Sequence, residues 1–218
     1  MSLRRSSQAK RCPQCLVHQD NCYCSQLKKL ELRTRVSLVM YKKERWLPSN
    51  TAMLAQSCLV NSQLFLRGLP NEKLTAHFLD QENYQPLYLY PSDDAEELTT
   101  DVTKRYDKPI HLIVPDGTWR QTKNIHQREK LLSDIPRVKL AQTPPTRYPL
   151  RRQKYEFGLC THEAISYALG VLENKNVQDL MLENLDVMVA AHLKNRPIFE
   201  KEKIHKGWSV KNQTKRPL

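Results

Sequence analysis

Short apolar runs, several closed by a proline and followed by residues that can start a helix, recur along this chain and predict its architecture. Residues 36–41, with Val36, Leu38, Val39 and Met40, form the first run, 86–91 the second and 110–114 the third. In the third, Ile110, Ile113 and Val114 are β-branched and Pro115 leaves no room for a helix, so the run reads as a buried strand. Residues 137–140 predict a further strand at a sheet edge, and 74–79 a weak strand or turn. Between the strands, apolar positions fall at helical spacing. Ser49 and Asn50 stand ready to cap a helix over 51–66, Ser92, Asp93 and Asp94 one over 95–104, and further helices are expected from 164 and over 177–193. This alternation predicts an α/β fold with a mainly parallel sheet and helices on both faces.

The stretch 109–119 organises the rest. Pro115 is expected to end the strand, Gly117 to permit a tight turn, and Thr118 to cap a helix that starts at Trp119. Asp116 then sits just past the carboxyl end of a core strand, where open α/β sheets bind ligands. The alternative is an aspartate that only caps its turn. Two other junctions, 91–94 and 159–164, can converge with 115–119 on one pocket, with Thr161 as the expected cap of the second. The chain has five glycines and neither a GxGxxG nor a P-loop, so a nucleotide-like ligand would be held in some other way.

Charge and cysteine add a second layer. The net charge is +12, and all of the excess lies at the ends. Residues 1–35 carry eight Lys/Arg against Asp20 and Glu31, residues 194–218 eight against Glu200 and Glu202, and the middle is balanced. Cationic ends on a neutral body suit a polyanion such as nucleic acid, with plain solubilising tails as the alternative. Arg147, Arg151, Arg152 and Lys154, interleaved with Tyr148 and Tyr155, suit phosphates and stacked bases, or form a solvated face. No apolar run is long enough to span a membrane and none lies near Met1, so a cytoplasmic protein without structural disulfides is expected. Cys12, Cys15, Cys22 and Cys24 form a C-x2-C-x6-C-x-C array suited to one tetrahedral Zn2+ with a structural role, an iron–sulfur cluster being the alternative. Cys58 reads as a buried hydrophobe. The expected organisation is a basic four-cysteine segment over 1–35, an α/β body over 36–195 and a basic tail over 196–218.

Asp116-Gly117-Thr118-Trp119 resembles the D-x-T-W signature of the DTW-domain proteins. Its companions occur in the family's order: the four-cysteine array, Ser49-Asn50-Thr51 after Glu44-Arg45, Leu89-Tyr90-Pro91, and Arg147-Tyr148-Pro149 followed by Leu159-Cys160-Thr161-His162-Glu163-Ala164. The likeness spans about residues 11–190 and departs at Ala52, where glycine is typical, and at Cys160, where serine is common. It implies a SPOUT-like fold with a trefoil knot. The activity it implies is a tRNA-uridine aminocarboxypropyltransferase using S-adenosylmethionine (SAM) as donor, with the target uridine in the tRNA variable loop. It implies Asp116 as catalytic residue. Leu89, Tyr90, Pro91, Pro115, Gly117, Thr118, Trp119, Leu159, Cys160 and Thr161 would lie around SAM. Arg147, Arg151 and Arg152 would grip either the SAM carboxylate or tRNA phosphates. The rival readings are a SPOUT-type RNA methyltransferase using the same donor and a non-enzymatic, zinc-containing RNA-binding module.

Overall fold

The structure is a computed structural model, and it describes residues 10–68, 74–150 and 158–194. Its core is a six-stranded sheet formed by β1 (Arg35–Tyr41), β2 (Ser62–Arg67), β3 (Gln85–Leu89), β4 (Glu96–Glu97), β5 (Ile110–Asp116) and β6 (Arg137–Lys139). The spatial order is β2-β1-β5-β3-β6-β4, and every pairing is parallel. Strands buried on both faces need no polar alternation, which is why β1 and β5 read as near-continuous apolar runs.

Side chains alternate between two cores. Leu38, Met40, Leu112 and Val114 face α1 (Thr51–Cys58), α5 (Thr161–Leu172) and α6 (Lys175–Leu193). Val39, Tyr88 and Ile113 face α3 (Trp119–Arg128) and α4 (Lys130–Ser133), where Ile125 and Leu132 complete the second core. A short α2 (Thr100–Lys104) precedes β5. Helices therefore cover both faces, as the alternation predicts. None of the described helices is long and apolar enough to cross a membrane.

Several boundaries differ from expectation. The helix expected over 51–66 stops at Cys58, and 62–67 forms β2 instead. Leu64 and Leu66 fit either period, and pairing with β1 selects the strand. Residues 95–104 split into two-residue β4 and α2 rather than one helix, whereas 76–78 is a 3-10 turn, one of the two forms expected there. Strand β6 is not at the edge, because β4 pairs outside it. Most consequential, Pro115 does not end its strand: β5 continues to Asp116, which pairs with Met40 of β1. The pairing of β5 with β3 ends at Ile113, so Pro115, which has no N–H to give, falls beyond that ladder.

The connection after β1 leads to α1 on one face, and the connection after β5 leads to α3 on the other. Where neighbouring connections diverge, the carboxyl ends of parallel strands leave a crevice. Asp116 lies there.

The segment before β1 is docked onto this body. Cys12, Cys15, Val17 and Tyr23 belong to the same apolar core as α1, α5 and α6. Lys28 and Asn184 exchange two hydrogen bonds: the Lys28 N–H donates to Asn184 Oδ1 at 2.8 Å, and Asn184 Nδ2 donates to the Lys28 carbonyl at 2.9 Å. The Leu30 N–H donates to the Cys58 carbonyl at 2.8 Å, so the link is main chain as well as side chain.

Candidate functional site

Position parity aims the Asp116 side chain. With Leu112 and Val114 pointing toward α1 and α5, Asp116 as the next even residue of β5 points the same way. It is only 5% exposed. Asn50 Nδ2 donates to Asp116 Oδ2 at 2.9 Å, and Thr161 Oγ1 donates to Oδ1 at 2.6 Å. Both donors suit an ionised carboxylate, which accepts only. Asn50 is the N-cap of α1 and Thr161 the first residue of α5, so the carboxylate also faces the positive ends of two helices.

Each partner is itself fixed. The Asn50 Oδ1 accepts from the Met53 N–H at 2.8 Å, a capping bond worth about 1 kcal/mol. With its oxygen so engaged, the amide can turn only its NH2 toward Asp116. Thr161 is not the cap of α5, contrary to expectation; Cys160 occupies that position. That displacement by one residue frees the Thr161 hydroxyl for Asp116.

A buried carboxylate, Glu163, organises the α5 junction. It accepts from the Cys160 N–H at 2.8 Å, the Thr146 hydroxyl at 2.5 Å and the Arg147 N–H at 2.6 Å. It thereby pins the proline-rich stretch before Tyr148 against the helix start. The buried Tyr148 donates its hydroxyl to the Ser49 carbonyl at 2.6 Å, which anchors the loop carrying Asn50. Burial holds the Cys160 thiol well above the usual thiol range, so it serves as a neutral packing group. Burial likewise pushes His162 down to about 4, leaving a neutral imidazole that donates from Nε2 to the Met181 carbonyl at 2.8 Å.

Beyond Asp116 the chain turns sharply. Gly117 has φ +146°, and a Cβ there would come within 3.0 Å of the Gln121 side chain. Thr118 and Gln121 form a capping box that starts α3. Trp119, the next residue, is half exposed and is not a core residue. Gln121 Nε2 also donates to Glu44 Oε1 at 3.3 Å, which ties α3 to the 3-10 turn Lys42–Trp46 that follows β1.

The expected site residues are thus partly brought together. Asp116, Gly117, Thr118 and Trp119 meet Leu159, Cys160 and Thr161 across the crevice through the Asp116–Thr161 bond. Leu89 ends β3, one strand away at the same end of the sheet, and Tyr90, just past it and before Pro91, stacks on His126 of α3 with ring centroids 4.6 Å apart. Arg147 is half exposed and pairs with Asp186 at 3.2 Å. Arg151 and Arg152 lie outside the described residues. Sequence reasoning passed over Asn50 and Glu163 as site residues, because one reads as a cap and the other as part of a loop. Their signal lay in the stretches that join Asp116 in the site: a capping amide after one strand and an acid three residues past a helix cap.

The four N-terminal cysteines form a second constellation. Their sulfurs all lie within 4.8 Å of one another, with Cys12–Cys24 and Cys15–Cys22 each 3.8 Å apart. A tetrahedral ion with metal–sulfur bonds of about 2.3 Å separates its ligands by about 3.8 Å, so the set fits one such ion. Burial raises the Cys12 pKa, but the backbone N–H groups of Cys15 and Gln14 and the neighbouring thiols bring it down to about 6. His18 stays out of the set, accepting from the Asp20 N–H. All six cysteines are free thiols. Cys58 is fully buried in the core, as expected of a small hydrophobe.

Comparison with known proteins supplies the lineage. The chain is similar to tRNA-uridine aminocarboxypropyltransferase 2 of Mus musculus, 24% identical over 196 residues that cover 84% of this chain and 64% of that protein. The Macaca fascicularis protein of the same name is 24% identical over 206 residues, 89% of this chain and 67% of that one. The chain thus spans about two thirds of the length of these relatives. The solved structure of the SAM-dependent rRNA:acp-transferase Tsr3 from Vulcanisaeta distributa aligns at TM-score 0.48 and 18% identity, covering 80% of this chain and 83% of that one. The family described as DTW domain matches residues 9–193, a range that takes in both the four-cysteine array and the 116–119 motif, and this chain belongs to that family.

Proposed function

We propose that this protein transfers the 3-amino-3-carboxypropyl group of SAM to N3 of a uridine in tRNA, with the variable loop as the target region. The observation that carries the reading is the buried Asp116, held from both sides by Asn50 and Thr161 in the crevice at the carboxyl ends of β1 and β5. The names of the mouse and macaque relatives support the same chemistry.

In this reaction N3 of the uracil ring attacks the Cγ methylene of SAM. The new N–C bond forms as the C–S bond breaks, and the sulfur leaves with its electron pair as methylthioadenosine. The N3 proton must depart. A sulfonium is already a good leaving group, so the protein's task is to align the reactants and receive that proton. Alignment alone can supply several kcal/mol, on the order of 7–11 in ideal cases. An ionised carboxylate only accepts hydrogen bonds, which is the polarity that a uridine N3–H requires of its partner. An ordinary aspartate is a weak base, with a pKa of about 3.9, so its role is to hold and polarise the N3–H bond and to take the proton as the N–C bond forms and N3–H turns acidic, rather than to remove it beforehand. Loops 115–119 and 159–161 and the end of β3 would hold the donor. The four cysteines would hold one Zn2+ that folds the N-terminal segment; a complete four-thiolate shell offers no open position for catalysis.

The test is to incubate the protein with SAM and unmodified tRNA and analyse the nucleosides by mass. An aminocarboxypropyl increment on uridine, with methylthioadenosine as by-product, is expected. A methyl increment would overturn the reading in favour of a methyltransferase. No heat on titrating SAM would overturn it in favour of an RNA-binding module.

A further inference from the structure

Four large hydrophobic side chains among the described residues are exposed: Trp46, Leu47, Val60 and Trp119. Three of them stand on the two segments that leave the sheet at the neighbouring ends of β1 and β5. Trp46, 62% exposed, and Leu47, 40%, end the turn after β1, and Trp119, 50%, opens α3 after β5. The Gln121–Glu44 hydrogen bond joins these segments, so the exposed aromatics stand on adjoining pieces of chain. The surrounding charge is positive: Lys42, Lys43 and Arg45 on the turn, Arg120 and Lys123 on α3, all exposed. Arg45 lies over the Trp46 ring at 5.5 Å.

A lone exposed leucine needs no explanation, but clustered apolar groups ringed by charge mark an interaction surface. Indole faces among cations match single-stranded nucleic acid, whose bases stack on aromatics while its phosphates pair with Lys and Arg. A duplex offers its bases only in the grooves, so such a surface suits an unpaired loop.

We propose that Trp46, steadied by Arg45, stacks on an unpaired nucleobase beside the target nucleotide of an RNA loop, so that the target base is splayed toward Asp116. The proposal rests on the RNA-directed reading above and assigns it a contact that lies outside the 116–119 motif. Trp46 is mostly exposed, so its substitution leaves the core untouched.

The experiment measures equilibrium binding of unmodified tRNA to the full chain without SAM, together with steady-state transfer. Trp46→Ala should weaken tRNA binding about 5- to 150-fold, the range that loss of one base–aromatic stack gives. Trp46→Phe should recover most of that loss, SAM affinity should stay put, and kcat at saturating tRNA should change far less than KM. Unchanged tRNA affinity in Trp46→Ala overturns the proposal, as does a loss equally large in Trp46→Phe. Dispersal of a dimer by Trp46→Ala, with tRNA affinity retained, overturns it in favour of a contact between copies. Binding is read without chemistry, so the two readings fail separately. Trp46-dependent tRNA binding with no aminocarboxypropyl product sinks the transfer reaction and leaves the stack standing. Equal product formation and equal tRNA KM in both proteins sink the stack alone.

Discussion

Replacing Thr161 with valine isolates one of the two bonds that hold Asp116. Valine keeps the volume and β-branching of threonine, and the start of α5 is secured by Cys160 and Glu163 rather than by Thr161. The change therefore removes a hydroxyl that donates to a 5% exposed carboxylate at 2.6 Å. A hydrogen bond to a charged group contributes about 1.5–3 kcal/mol. Thr161 is only half-buried, so water can partly replace it and about 1–2 kcal/mol is the working range. If Asp116 must be aimed in the transition state, that energy lowers kcat about 5- to 30-fold. The tRNA KM should stay within about twofold, since the lost interaction is orientational. The melting temperature should fall by about 2–8 °C for a chain of this size. Thr161→Ser restores the hydroxyl and should recover most of both losses. Normal turnover in Thr161→Val, or a Ser variant as slow as the Val variant, would refute the idea that this bond aims the carboxylate.

Three further outcomes follow from the same geometry. Asp116→Ala should cut turnover sharply while SAM affinity, measured by calorimetry, stays largely intact; equal losses in both would reassign the residue to donor binding. Elemental analysis should find one zinc per chain, lost with Cys12→Ser but kept with Cys58→Ala, and a chelator should lower the melting temperature; a metal-free wild-type chain would remove the zinc proposal. His111 is buried, donates from Nδ1 to the Leu79 carbonyl and accepts at Nε2 from Ser37, and burial pushes it down to about 4, as it does His162. An unfolded imidazole protonates near pH 6.5. Between that pH and 4 the unfolded chain binds more protons, so stability is full above about 6.5 and declines as pH falls, by up to about 1.4 kcal/mol per pH unit per histidine. His111→Gln should reduce that slope by about one proton in denaturation followed across this range, and an unaltered slope would count against the assignment.

The parts of the chain legible beforehand were those where burial is complete. β1, β3 and β5 are apolar because both faces are covered, and Thr118 before Trp119 is an unambiguous helix start. β2 was hidden because it is half-buried at an edge and follows a short helix with compatible spacing. The two-residue β4 carries no apolar signal at all. At the site, Asp116 was legible from its place after a core strand, yet its aim was not. Taking Pro115 as a terminator concealed the parity that points residues 112, 114 and 116 to one face. Asn50 was visible as a cap, but its second bond depends on β1 and β5 being neighbours, a pairing between residues 35–40 and 111–116 that no local pattern encodes.

The mutual hydrogen bonds of Lys28 and Asn184 join positions 156 residues apart. During synthesis at roughly 5–20 residues per second, the N-terminal segment must wait on the order of 10–30 s for the α6 part of its docking site to emerge from the ribosome. The contacts within the four-cysteine loop are local, so that loop can close early and wait as a small preformed plug. The α/β body then has a last assembly step, in which α6 arrives and seats a piece made long before it. A chain released before α6 is complete would retain every strand of the sheet and hold that plug only through its link to the end of α1, exposing apolar surface of the kind that quality-control proteases and chaperones recognise.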